Sequence, residues 1–125
     1  MSDTTPETTV DSILISALAP LGYPVKRLFH KGKEPVFITF QIVYAPEVNH
    51  ADDDSDTTEY LYRVDIYSKR DYMALLRRVK RALKGAGFYG PVIDSENFES
   101  DTGYFHIPIE IKYLEEDEDG NSGIA

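Results

Sequence analysis

The chain contains no cysteine, which excludes disulfides and thiolate metal sites and leaves the cytosol as the default compartment. No apolar run approaches the ~18–20 residues that a membrane-spanning helix needs. Residues 1–9 hold no basic side chain and no apolar stretch, so they do not read as a secretory signal. Histidine is scarce: His30, His50 and His106 are the only three, and no two stand at an i, i+4 ligand spacing. No serine sits in a G-x-S-x-G elbow, and no internal repeat is present. Basic residues are outnumbered, 13 against 22 acidic, and the resulting net charge of -9 argues against general affinity for nucleic acid or an anionic membrane.

What remains is an ordinary globular composition, 42% hydrophobic and 28% charged over 125 residues, enough for one domain with one core. Its charges are segregated. Residues 70–84 carry six basic side chains and one acidic, including Arg70, Arg77, Arg78, Arg81 and Lys84. Residues 47–59 carry Glu47, Asp52, Asp53, Asp54, Asp56 and Glu59 with no Lys or Arg, and residues 115–119 are five consecutive acids. Separation of this kind equips a chain to bind copies of itself, basic face to acidic loop; the plainer account is a solvated helix and solubilising loops.

Residues 59–87 organise the rest. Tyr60, Tyr62, Val64 and Ile66 alternate with Leu61, Arg63, Asp65 and Tyr67, the period-two signature of a strand. Ser68 and Asp71 offer a capping box for a helix over about 70–86, in which Tyr72, Leu75, Leu76, Val79, Ala82, Leu83 and Ala86 share one side. Gly85 or Gly87 closes it. Upstream, Thr8 or Thr9 caps a short helix over about 9–19 that Pro20 and Gly22 end. A short strand is expected over 25–28, and a strong one from Val36 to Tyr44, joined through a long acidic loop, 45–58, to the strand at Tyr60. Residues 91–98 read as a short irregular strand. The last strand alternates Phe105, Ile107, Ile109, Ile111 and Tyr113 with polar residues, and its Pro108 points to an edge or a bulge. The fold class is therefore α+β: a mainly antiparallel sheet of four to five strands with one long and one short helix. The domain spans 10–114, between a disordered N-terminus, 1–9, and a disordered acidic tail, 115–125.

Candidate chemistry fails on context. Gly85-Ala86-Gly87-Phe88-Tyr89-Gly90 spells G-x-G-x-x-G, but a helix precedes it and an extended segment follows, the reverse of a dinucleotide site. Asp52, Asp54 and Asp56 alternate as in a calcium loop, yet the required Gly and Glu positions hold Thr57 and Arg63. Asp65 and Glu110 can approach each other on the sheet, with Arg63 and Lys112 as the natural partners that make them ordinary surface carboxylates. The many tyrosines lack the interleaved Gly and basic residues of an RNA-recognition sheet. The residues give no reason to expect an enzyme, a metal or a cofactor.

The wording Tyr62-Arg63-Val64-Asp65-Ile66-Tyr67-Ser68-Lys69, the helix from Leu75 to Leu83, Gly87-Phe88, and Asp101-Thr102-Gly103-Tyr104-Phe105-His106 before an alternating strand resemble the tail-terminator, or tail-to-head joining, proteins of tailed bacteriophages. The resemblance runs over residues 25–114. It implies a structural virion protein, made in a bacterial cytoplasm, that forms a ring, commonly a hexamer, on the head-proximal end of the tail. Its partners are then other copies of itself, the tail tube protein and the head–tail connector, with DNA passing through unread and no membrane involved. Ring contacts join two unlike patches, and Arg77, Arg78, Arg81 and Lys84 against an acidic neighbour supply one such pair. The rival reading is a small nucleic-acid-binding module that uses the same basic helix.

Overall fold

The fold is built on alternation along two thirteen-residue strands, β4 (Asp56–Ser68) and β7 (Tyr104–Glu116), in a computed structural model that describes residues 7–49 and 56–116. Tyr62, Val64 and Ile66 of β4 lie antiparallel to Ile111, Ile109 and Ile107 of β7, and all six are buried. On the other side of β4 lies β2 (Val36–Tyr44), with Ile38 opposite Ile66 and Phe40 opposite Val64. Three strands thus place β-branched and aromatic side chains in shared rows on one sheet face, the packing that such residues favour.

Two helices cover that face. In α1 (Val10–Leu18), Val10, Leu14 and Leu18 recur every four residues and are buried. Thr9 caps it with a capping box: its Oγ1 accepts the Ser12 N–H at 3.1 Å, and Ser12 Oγ accepts the Thr9 N–H at 2.9 Å. In α2 (Met73–Gly85), Leu75, Leu76, Val79 and Leu83 are buried in the same core cluster. Burying each leucine contributes about 1.5–3 kcal/mol.

With β1 (Val25–Arg27), β3 (Glu47–Asn49), β5 (Tyr89–Ile93) and β6 (Asn97–Glu99), the sheet of the described residues has seven strands in the order β1-β2-β4-β7-β5, with β3 paired to β4 and β6 to β7. It is mixed, because β1 (Val25–Arg27) runs parallel to β2. The 45–58 connection is not all loop. Glu47–Asn49 forms β3 and pairs antiparallel with Asp56, Thr57 and Thr58; residues 50–55 between them lie outside the described residues. The 91–98 segment divides into β5 (Tyr89–Ile93) and β6 (Asn97–Glu99), end to end along one edge of β7.

Other boundaries move for physical reasons. The helix anticipated from about residue 70 begins at Met73, because Ser68 is still strand and its Oγ accepts the Arg70 N–H at 3.1 Å. Asp71 then accepts the Met73 N–H at 3.1 Å, while the N-cap position, Tyr72, has no capping side chain. At the other end Gly87 takes φ +104°, and the Phe88 N–H returns to the Leu83 carbonyl at 3.0 Å. Pro108 lies on no edge strand: β7 is interior, and Pro108 faces the gap between β5 and β6, where its missing N–H costs no ladder bond. The final strand runs to Glu116, so Glu115 and Glu116 belong to the sheet; residues 117–125 and 1–6 lie outside the described residues.

The second sheet face carries an aromatic cluster. Phe37 stacks on Tyr67 at 4.7 Å between centroids, Tyr67 on His106 at 4.4 Å, and Tyr104 meets Phe37 edge-on at 5.2 Å. His30 packs on Phe37 at 4.7 Å, and the Tyr104 hydroxyl donates to the Glu34 carbonyl at 2.7 Å, which ties the segment after β1 down onto this face.

Candidate assembly surfaces

Helical geometry makes α2 two-faced. With Leu75, Leu76, Val79 and Leu83 turned into the core, the 100° step places Arg77, Arg78, Arg81 and Lys84 in solvent. None of these four forms an ion pair with any other described residue. Arg70, grouped with them in sequence, sits in the turn before the helix, exposed but off the helical face.

The acidic partners divide differently. Asp52, Asp53 and Asp54 fall outside the described residues, and Asp56 opens β4. Strand register adds what spacing conceals: Thr57 and Thr58 of β4 pair with Glu116 and Glu115 of β7, and Thr58 also pairs with Glu47 of β3. The two acidic stretches, sixty residues apart in sequence, therefore meet at one end of the sheet. Glu115 there accepts from the Tyr60 hydroxyl at 2.9 Å, and Glu59 from the Tyr89 hydroxyl at 2.8 Å.

Those bonds belong to a pattern that composition does not reveal. The Tyr62 hydroxyl donates to Asp11 Oδ1 at 2.5 Å, and the Tyr72 hydroxyl donates to Glu96. Phenols thus hold carboxylates in place at four separate points. Burial first, then the Asp11 hydrogen bond, drives the Tyr62 phenol well above the usual tyrosine range. Burial and Glu115 raise Tyr60, and burial and Glu59 raise Tyr89. Asp11 is shared: its second oxygen lies 3.3 Å from Arg27, which binds α1 to β1.

On the second sheet face Asp65 and Glu110 each take a different nitrogen partner. Asp65 lies 2.7 Å from His106 Nε2, and Glu110 lies 3.1 Å from an Arg63 terminal nitrogen. They are partnered separately, not with each other. Arg63 Nε is buried without a partner among the described residues. An open cleft of about 460 Å³ lies between α1 and the end of α2, lined by Thr8, Ser12, Ile13, Ser16, Ala17 and Ala86. Its lining offers hydroxyls and methyl groups but no ionisable side chain.

No family model and no curated protein matches the chain. Among solved structures it is similar to a chain of one described as "Virion of native gene transfer agent (GTA) particle". That similarity covers 86% of this chain and 87% of the other, at 10% identity and a TM-score of 0.48.

Of the residues singled out in the sequence, the structure brings Arg77, Arg78, Arg81 and Lys84 onto one exposed face and separates Arg70 from them. It also adds Glu115 and Glu116 to the acidic end. Period-two reading of β7 continued past Leu114 is the signal that would have found them.

Proposed function

We propose that this protein is a structural component of a phage-like virion, a ring-forming tail-completion protein that caps the head-proximal end of the tail tube and joins it to the head. The observation that carries the reading is the unpaired cationic face of α2 in a chain that gathers its acids at one end of its sheet. Head-to-tail rings need two unlike, complementary patches, and segregated charge supplies them. The class of partner follows from the resemblance over residues 25–114: other copies of the chain, the tube protein and the head connector. In such a ring the acidic end repels DNA in transit rather than gripping it. The protein works by contact, with no substrate turned over and no cofactor.

Electron microscopy of tails assembled with and without the protein tests this directly. Omission yields overlong tubes or tails that fail to take heads; tails of normal length that join heads normally would overturn the reading.

A second reading rests on the same arginines, which equally suit phosphate contacts. The double variant Arg77→Glu/Arg81→Glu separates the two. Loss of assembly favours the ring, whereas loss of DNA retardation with a steep salt dependence favours a nucleic-acid module.

A further inference from the structure

The two lateral edges of the sheet display large apolar side chains beside charges of opposite sign. At the β1 edge, the chain leaves the sheet through a three-residue turn closed by the Phe29 N–H on the Arg27 carbonyl at 2.7 Å. Leu28 at its centre takes φ +63°, a strained conformation for a bulky residue. The turn leaves Leu28 61% and Phe29 69% exposed. Residues 25–33 around it carry Lys26, Arg27, Lys31 and Lys33 and no acid. At the opposite edge Val92 is 60% and Phe98 56% exposed. Residues 89–103 there carry Asp94, Glu96, Glu99 and Asp101 and no base.

The two edges also correspond in level and in backbone. Lys26 pairs with Thr39, Thr39 with Asp65 and Asp65 with Pro108, whose carbonyl accepts the Asp94 N–H. One row below, Arg27, Phe40, Val64, Ile109 and Ile93 follow one another. Pro24 and Leu28 turn their backbone groups to β2, so those of Val25 and the N–H of Arg27 point outward. Asp94 bonds inward, so Ile93 also points outward. Strand sense alternates such that β1 runs opposite to β5 and β6.

We propose that copies of this protein join head to tail through their sheets, β1 of one copy adding antiparallel to the β5–β6 edge of the next. The proposal rests on the assembly reading and names the contact that makes it. Strand addition supplies main-chain hydrogen bonds, and with Lys26 level with Asp94 the antiparallel register brings Leu28 and Phe29 against Val92 and Pro91 and Lys26 against Asp94. A second copy is the occupant because each edge carries what the other lacks. The Gly90-Pro91 interruption of β5 shortens the open edge to the level that β1 occupies, which limits pairing in other registers.

The chain's lack of cysteine makes the test clean. Lys26→Cys and Asp94→Cys stand at the same level on opposite edges. Mild oxidation of the double variant yields a ladder of covalent multimers, a mixture of the two single variants stops at the dimer, and each single variant alone stays monomeric. Independently, Phe29→Asp and Val92→Asp each weaken self-association by at least about tenfold in sedimentation, and their mixture forms a one-to-one pair through the two intact edges. Absence of the ladder, or dimers from one single variant alone, overturns the edge contact. So does a Phe29→Asp protein that still self-associates but no longer caps tubes, since that surface would then serve the tube. Tail capping by the wild-type chain is scored in parallel: capping without a ladder removes only the edge contact, and no capping removes the assembly reading as well.

Discussion

At Tyr62 a buried ring ends in a hydroxyl 2.5 Å from Asp11, and Asp11 in turn holds Arg27, so one side chain couples β4, α1 and β1. Removing the hydroxyl in Tyr62→Phe keeps the packing and loses a charge-assisted bond, a cost of about 1.5–3 kcal/mol measurable by urea unfolding. The same group contributes to the loss of stability at alkaline pH. The folded state holds the Tyr62 proton more tightly than the unfolded chain does, so this contribution is whole below about pH 10 and falls as pH rises beyond it, by up to about 1.4 kcal/mol per pH unit. Unfolding followed against pH should show that decline in the wild type and a shallower one in Tyr62→Phe; parallel curves would refute the assignment. The sequence displays the tyrosines but not their partners, because Tyr62 and Asp11 lie in elements fifty residues apart and only the fold joins them.

The elements themselves were largely legible. Period two in β4 and β7 and period 3.6 in α2 are strong because each packs one continuous apolar row into the core and turns its polar and aromatic residues the other way, and the helix stop at Gly85–Gly87 follows from backbone sterics. Legibility failed where short strands borrow their stability from a longer neighbour. Residues 47–49 and 97–99 have no alternation long enough to read, and they are strands only because β4 and β7 present free edges to them. The parallel sense of β1 is likewise a property of the chain's route, with no local signature in Val25-Lys26-Arg27. Two substitutions test the α2 unit. Leu83→Ala empties a fully buried site and should cost about 2–5 kcal/mol. Gly87→Ala, at φ +104° with its new methyl 3.4 Å from the Tyr113 ring, should cost about 1 kcal/mol or more. Both are read as shifts in the denaturant midpoint at unchanged slope.

Across the whole molecule, the assembly proposed above assigns the exposed α2 cations to partners rather than to the fold. Arg77→Glu/Arg81→Glu should therefore leave stability within about 0.5 kcal/mol while reducing assembly, a split visible by comparing unfolding curves with sedimentation. Salt should act the same way: raising ionic strength shortens the screening length to a few ångströms, loosening charge-led association without melting the protein. Light scattering that gives equal mass at low and high salt would count against charge pairing. The sequence announced this segregation of charge; what it could not place is the meeting of residues 47–59 with 115–116, which depends on register across the sheet. The position of β7 carries one more consequence. The strand that binds β4, β5 and β6 together is the latest of them to leave the ribosome, so until synthesis reaches it the nascent chain has a helix with half a floor and two short strands with nothing to pair with. A chain cut short before Tyr104 therefore cannot close its sheet, and it should be recovered without the cooperative unfolding transition of the whole protein.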